Sequence, residues 1–183
     1  VLTMASSLIL GMGLPTAAAY ILVATLTAPA LVTMGVDLMA AHMFVFYSAM
    51  LSSITPPVAL AAFAAAAISR EPPMRVAMIS VKYGFVAFLL PYFFVLEPRL
   101  LLMGTLGEAI GVFLMAAIGI VTLACVLQGY AMGSLSWLTR AVLAVASLCL
   151  LMPEISLKII GIAIILAILI AWKIGQTLKK DGA

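Results

Sequence analysis

Two polar interruptions in an otherwise apolar chain hold the residues able to do chemistry. One is Ser52-Ser53-Ile54-Thr55-Pro56-Pro57; the other is Gly11-Met12-Gly13-Leu14-Pro15-Thr16, preceded by Ser6-Ser7. Pro56 and Pro57 remove two backbone donors and push Thr55 out of helical geometry, so a helix should stop near Thr55 and another begin with proline in its first turn. Where a helix unwinds inside apolar surroundings, its carbonyls lose their i→i+4 partners and can surround a cation. The N-terminus of the next half-helix offers its positive dipole end to an anion. A cation site is therefore expected from carbonyls near Ser52, Ser53, Ile54 and Thr55, with the Thr55 hydroxyl, and a second around Gly11, Gly13 and Thr16, with Ser6 or Ser7. The other reading of these residues is packing: serines and threonines bond back to the preceding turn, and glycines bring helices together, as is common in membranes.

Few other residues compete for a chemical role. Asp37 follows Gly35 at a helix start, where N-capping is expected. His42 is an ionisable group inside an apolar stretch; it is a candidate for relaying a proton or touching an anionic substrate, set against a hydrogen-bonded structural role. Pro56, Pro57 and His42 are the candidates for substrate contact. His42 is the only histidine, so no His-based zinc site can be assembled. Cys125 and Cys149 lie in apolar runs, where a thiol behaves as a small hydrophobe. No Gly-x-Ser-x-Gly, paired aspartate or His-Glu-x-x-His is present, so the chain is not read as an enzyme, and no cofactor is expected. The basic residues do not cluster into a nucleic-acid-binding face.

The elements that position these breaks are membrane helices. Of 183 residues, 67% are hydrophobic and 8% charged, and the mean hydropathy is +1.35; an ordinary soluble domain is roughly 45–50% apolar and about 25% charged. Apolar runs such as 107–126, interrupted only by Glu108, reach the roughly 20 residues that span a bilayer. Proline, glycine and charge divide the chain into expected helices over 2–10, 16–34, 38–53, 58–69, 74–96, 106–127, 137–152 and 155–174. The segments 38–53 and 58–69 are about 24 and 18 Å long at 1.5 Å per residue, and neither crosses a core of about 30 Å comfortably. A chain turning back at Thr55-Pro56-Pro57 makes a re-entrant hairpin over 38–69; one proline-kinked helix is the alternative. With the hairpin and a cytoplasmic C-terminus, Arg70, Arg75, Lys82, Arg140, Lys173, Lys179 and Lys180 lie on or near the inside, and Arg99 and Lys158 outside, as the positive-inside rule favours. The opening Val-Leu-Thr-Met-Ala reads as helix interior, so upstream helices are expected.

At both breaks the sequence resembles the large permease subunit of TRAP transporters, especially the fused permeases that work with TAXI-type solute-binding proteins. The resemblance is carried by Gly-Met-Gly-Leu-Pro-Thr-Ala-Ala-Ala-Tyr at 11–20, Ala-Pro-Ala-Leu at 28–31, Ala-His-Met-Phe at 41–44 and Ser-Ser-Ile-Thr-Pro-Pro-Val-Ala-Leu-Ala-Ala-Phe at 52–63. It covers residues 1–102 closely. Residues 103–183 look like the extra C-terminal helices of the fused members. The resemblance implies an all-α polytopic bundle with a broken helix and a re-entrant hairpin, forming the second inverted repeat of an elevator-type transporter. It also implies import of a small organic anion across the bacterial inner membrane, driven by sodium or protons, with a periplasmic or extracellular solute-binding protein and membrane lipids as partners. Dicarboxylate- and sialate-type relatives place an aspartate just after the Gly-rich break; here Leu14-Pro15-Thr16 stands instead, so any cation site is built from neutral oxygens. A membrane scaffold without a translocation path is the competing class.

Overall fold

A computed structural model describes residues 1–131 and 133–181, with side chains as far as Lys173. Lys179 and Lys180, counted above among the inside charges, lie beyond the described side chains. The chain forms two compact units, Val1–Met103 and Gly104–Ala183.

The first unit contains α1 (Leu2–Gly11), α2 (Thr16–Thr33), α3 (Leu38–Leu51), α4 (Leu60–Ser69), α5 (Pro73–Gly84) and α6 (Leu90–Leu96), with 3-10 turns at Ser52–Ile54, Phe85–Phe88 and Pro98–Leu101. Each boundary has a local cause. Asp37 caps α3 as expected, its Oδ1 accepting from the amides of Met39 at 2.8 Å and Ala40 at 3.3 Å. Arg70 closes α4 in the left-handed conformation, and Pro72-Pro73 starts α5. Pro91 cannot donate to the carbonyl of Ala87 and crowds it, so the expected continuous helix over 74–96 is interrupted by the 3-10 turn before α6. Ala19, Ala24 and Ala28 of α2 and Ala41 and Ala49 of α3 are buried with Val23, Phe44 and Val45. Such small side chains let helices approach closely where lipid supplies no hydrophobic drive for association.

A broken helix and a helical hairpin both occur, but their places are exchanged relative to the sequence reading. Arms of a hairpin over 38–69 would lie side by side. Instead α3 packs on α1, α2 and α6, while α4 packs on α5 and the 3-10 turn. The partners run in order along residues 73–96. α4 lies against α5, Ile54 reaches Gly84, and Phe44 and Tyr47 make edge contacts with Tyr92 and Phe94 at 5.3 and 5.1 Å. Residues 38–69 are therefore one interrupted helix, antiparallel to 73–96. The physical reason is that Pro56-Pro57 abolishes helical donors without supplying the tight reversal needed to lay α4 back on α3. The reversal occurs at Met12–Pro15, across which α1 and α2 pack on each other. Gly13 adopts φ +76° there, a conformation glycine takes without strain.

The second unit contains α7 (Leu106–Gln128), α8 (Trp137–Leu151) and α9 (Ile155–Asp181), with α8 packed against both others. Thr105 and Ser136 cap α7 and α8, accepting from Glu108 and Thr139 amides. Gly129, at φ +73°, ends α7, and its amide bonds to the carbonyls of Cys125 and Val126. A short antiparallel pair, Tyr130–Ala131 with Gly133–Ser134, then reverses the chain, an element the apolar pattern did not signal. Thr16–Thr33, Pro73–Leu96, Leu106–Gln128 and Ile155–Lys173 are each long and apolar enough to cross a bilayer. Phe113, Val121 and Ile159 remain more than 60% exposed. Lipid is the solvent that suits such faces, and the chain is a multi-pass membrane protein.

Candidate functional site

The hairpin turn and the helix break meet. Gly11, the last residue of α1, is buried against the end of α3. A Cβ placed on it would stand 2.9 Å from Ser52 Oγ and 3.2 Å from the carbonyl oxygen of Ala49. Gly13 faces the far side of the break, where a Cβ would stand 3.4 Å from Val58 Cγ1. The two interruptions, 39 positions apart from Gly13 to Ser52, thus form one locus, with Gly11 small enough to admit the serine.

The hydroxyls bond back onto their helices, as the packing reading expects. Ser52 donates to Ala49 O at 2.6 Å, Ser53 to Met50 O at 2.8 Å and Thr55 to Leu51 O at 2.7 Å. Each donation uses the hydroxyl's one proton and leaves lone pairs on the oxygen, so back-bonding orients these atoms without removing their capacity to accept. Ser6 and Ser7 bond to Leu2 O and Thr3 O in the same way. They lie one turn or more before Gly11, about 6–8 Å along α1, and the structure does not bring them to the turn.

The carbonyls are arranged by the prolines. A helical carbonyl needs an N–H three or four residues on, and Pro56 and Pro57 have none. Ser53 therefore has neither helical donor, Ser52 keeps only the Thr55 amide, at 3.2 Å, and Ile54 keeps only the position of Val58. Thr55 itself is extended, with φ −97° and ψ 124°. Beyond the break, α4 starts after Ala59, and across the turn α2 starts after Pro15; neither start has a side-chain cap. The C-terminal ends of α1 and α3 and the uncapped N-terminal ends of α2 and α4 converge here. Carbonyl-rich and amide-rich ends are thus available at one place, suited respectively to a cation and an anion. Thr16 lies exposed at the first position of α2 and Pro57 is exposed beside the break, with Pro56 and Ile54 half-buried.

His42 stands apart. It lies about 15 Å before Ser52 along α3, and its Nδ1 shares a 2.9 Å hydrogen bond with the Tyr20 hydroxyl of α2. Tyr20 also packs edge-on against Phe46, with ring centroids 5.5 Å apart. The expected grouping of His42 with Pro56 and Pro57 is not formed, because three turns of helix separate them. Val58 and Gly84 were missed as neighbours of the two breaks, and Tyr20 as the partner of His42. None of the three is a polar residue of a break, and only contacts with residues distant in sequence distinguish them. A buried carboxylate also escaped notice: Glu97, 4% exposed, receives Arg99 Nε on Oε1 at 2.6 Å and Nη2 on Oε2 at 2.9 Å, beyond the end of α6. Among the described residues no group of three His, Cys, Asp or Glu side chains could hold a metal ion.

In comparison with known families, residues 1–109 match the family described as "Tripartite ATP-independent periplasmic transporter, DctM component". No curated protein and no solved structure matches the chain.

Proposed function

From the premise that the chain belongs to the DctM family, a permease component of tripartite ATP-independent periplasmic transporters, we propose that the locus between the α1–α2 turn and the α3–α4 break binds a coupling cation and a small organic anion. The observation that carries this reading is the convergence of four helix ends around Gly11 and Ser52, with proline-deprived carbonyls at Ser52–Ile54. The cation sits on the carbonyl side, contacted by Ser52, Ser53, Ile54 and Thr55 from the break and by Gly11, Gly13 and Thr16 from the turn. The anion sits at the amide ends of α2 and α4, beside Pro56 and Pro57. With only neutral oxygens, sodium is favoured over a proton, because no carboxylate in either break can take the proton up.

The partners in this reading are a solute-binding protein that delivers the anion and a small permease component. Residues 103–183 serve as the C-terminal extension of TAXI-type fused members. The protein resides in the bacterial inner membrane with Arg70, Arg75, Lys82, Arg140 and Lys173 on the cytoplasmic side.

The test is sodium titration of the unfolding temperature of the purified permease carrying this sequence, with choline as the control cation. Thr55→Ala removes one oriented oxygen. A contact to a charged group is worth about 1.5–3 kcal/mol, so the half-saturating sodium should rise at least about tenfold. Equal responses to sodium and choline in the unmodified protein, or an unchanged sodium midpoint in Thr55→Ala, would sink the proposal.

A further inference from the structure

The second unit contains a cleft of about 630 Å³ between α7, α8, α9 and the 130–134 reversal, within the roughly 300–1,000 Å³ of small-ligand sites. Its origin is visible in the packing. At one end of the bundle the helices are pinched together by glycines. A Cβ on Gly119 would stand 3.2 Å from Leu150 and Leu151, and one on Gly161 2.8 Å from the carbonyl oxygen of Ala146. Toward the other end larger residues, Leu143, Ile165, Ile168 and Leu169, take over and the helices part. The floor is apolar apart from Cys125 and Thr122, whose hydroxyl donates to Ile118 O at 2.8 Å; the rim near the chain reversal carries Ser134, Ser136, Thr139 and Trp172.

We infer that this cleft is a binding site for an anionic phospholipid, one acyl chain lying between the helices and the headgroup at the rim. Three observations choose this occupant. Tyr130 and Trp137, 64% and 82% exposed, share with Trp172 the end of the unit where the cleft opens; this is how aromatic side chains mark headgroup depth. The described charges at that end are Arg140 and Lys173, both basic, whereas at the opposite helix ends Lys158 is accompanied by Glu108 and Glu154. Basic residues between membrane helices favour anionic headgroups. Finally, the Trp172 indole N–H and the Ser134 hydroxyl have no protein partner among the described residues, so the rim offers donors to ester and phosphate oxygens. Arg140 adds positive charge while its Nε donates to Val126 O at 2.9 Å, which fixes it at the end of α7.

The experiment uses the full chain with Trp137→Phe, leaving Trp172 as the single tryptophan, in mixed micelles with phosphatidylglycerol or phosphatidylcholine brominated on the acyl chain. Phosphatidylglycerol should quench Trp172 in a saturable manner and at a mole fraction at least threefold lower than phosphatidylcholine. Ala171→Phe, which fills the cleft from an exposed position, should abolish the saturable part, and Ala131→Phe provides the same test from the chain reversal. Quenching that rises in proportion to mole fraction, or that is equal for the two lipids, overturns the inference. So does saturable quenching that survives in both filled variants.

Discussion

Gly11→Ala measures how tightly the hairpin turn and the helix break are joined. The new Cβ would stand 2.9 Å from Ser52 Oγ, 3.2 Å from Ala49 O and 3.3 Å from Ser52 Cβ, where nonbonded carbon contacts settle at about 3.5–4.0 Å. Ala49 O belongs to the backbone of α3 and cannot withdraw alone. Ser52 Oγ can rotate away only by giving up its 2.6 Å bond to Ala49 O, a loss of about 0.5–1.5 kcal/mol. Overpacking of this kind costs about 1–3 kcal/mol, offset by up to about 1 kcal/mol from replacing glycine in a helix. The net expectation is destabilisation by about 1–3 kcal/mol, read by reversible unfolding of the purified chain in mixed micelles. Ser52→Ala removes the nearest atom, so the double variant should recover at least about 0.5 kcal/mol relative to the sum of the single ones, as contacting sites do. A Gly11→Ala protein as stable as the parent, or strict additivity in the cycle, would refute the contact.

Other substitutions probe the supports of the same locus. Gly13→Ala should lose about 1–2 kcal/mol in the same unfolding assay, because φ +76° is unfavourable for alanine, and Gly13→Asn should lose distinctly less. Asp37→Ala should cost about 1 kcal/mol through loss of the α3 cap while Asp37→Asn stays near the parent; equal losses would mean that the charge, and not the cap, matters. Tyr20→Phe should cost about 1 kcal/mol and leave the sodium midpoint unchanged, because His42 lies far from Ser52. A tenfold shift in that midpoint would place the Tyr20–His42 pair in ion binding after all.

The helices were legible because apolar length and punctuation by Pro, Gly and charge are local properties. Asp37 could be assigned as a cap for the same reason: its amide partners lie two and three residues away. The two breaks were legible as breaks, since Pro56-Pro57 and Gly11–Thr16 change the backbone whatever surrounds them. Which break reverses the chain was not, because reversal is decided by what the arms pack against. Two short arms over 38–69 satisfy length arithmetic either as a hairpin or in tandem, and only the order of contacts along 73–96 separates the two. The same limit hid the meeting of Gly11 with Ser52 and the bond between Tyr20 and His42, each a contact between residues more than 20 positions apart.

Beside the interrupted helix, residues 73–96 act as a splint acts on a fracture. α5 is bound to one fragment and α6 to the other, and Gly84 lies against Ile54 at the fracture itself. An unsplinted break would be a joint, with α3 and α4 free to swing about residues 55–59. Splinted, each fragment is held by its own neighbour, and the two neighbours are joined through the 3-10 turn Phe85–Phe88 next to the break. The oxygens of Ser52–Ile54 therefore stand between two fragments that are each braced from outside, and their spacing does not depend on the backbone at Pro56-Pro57 alone.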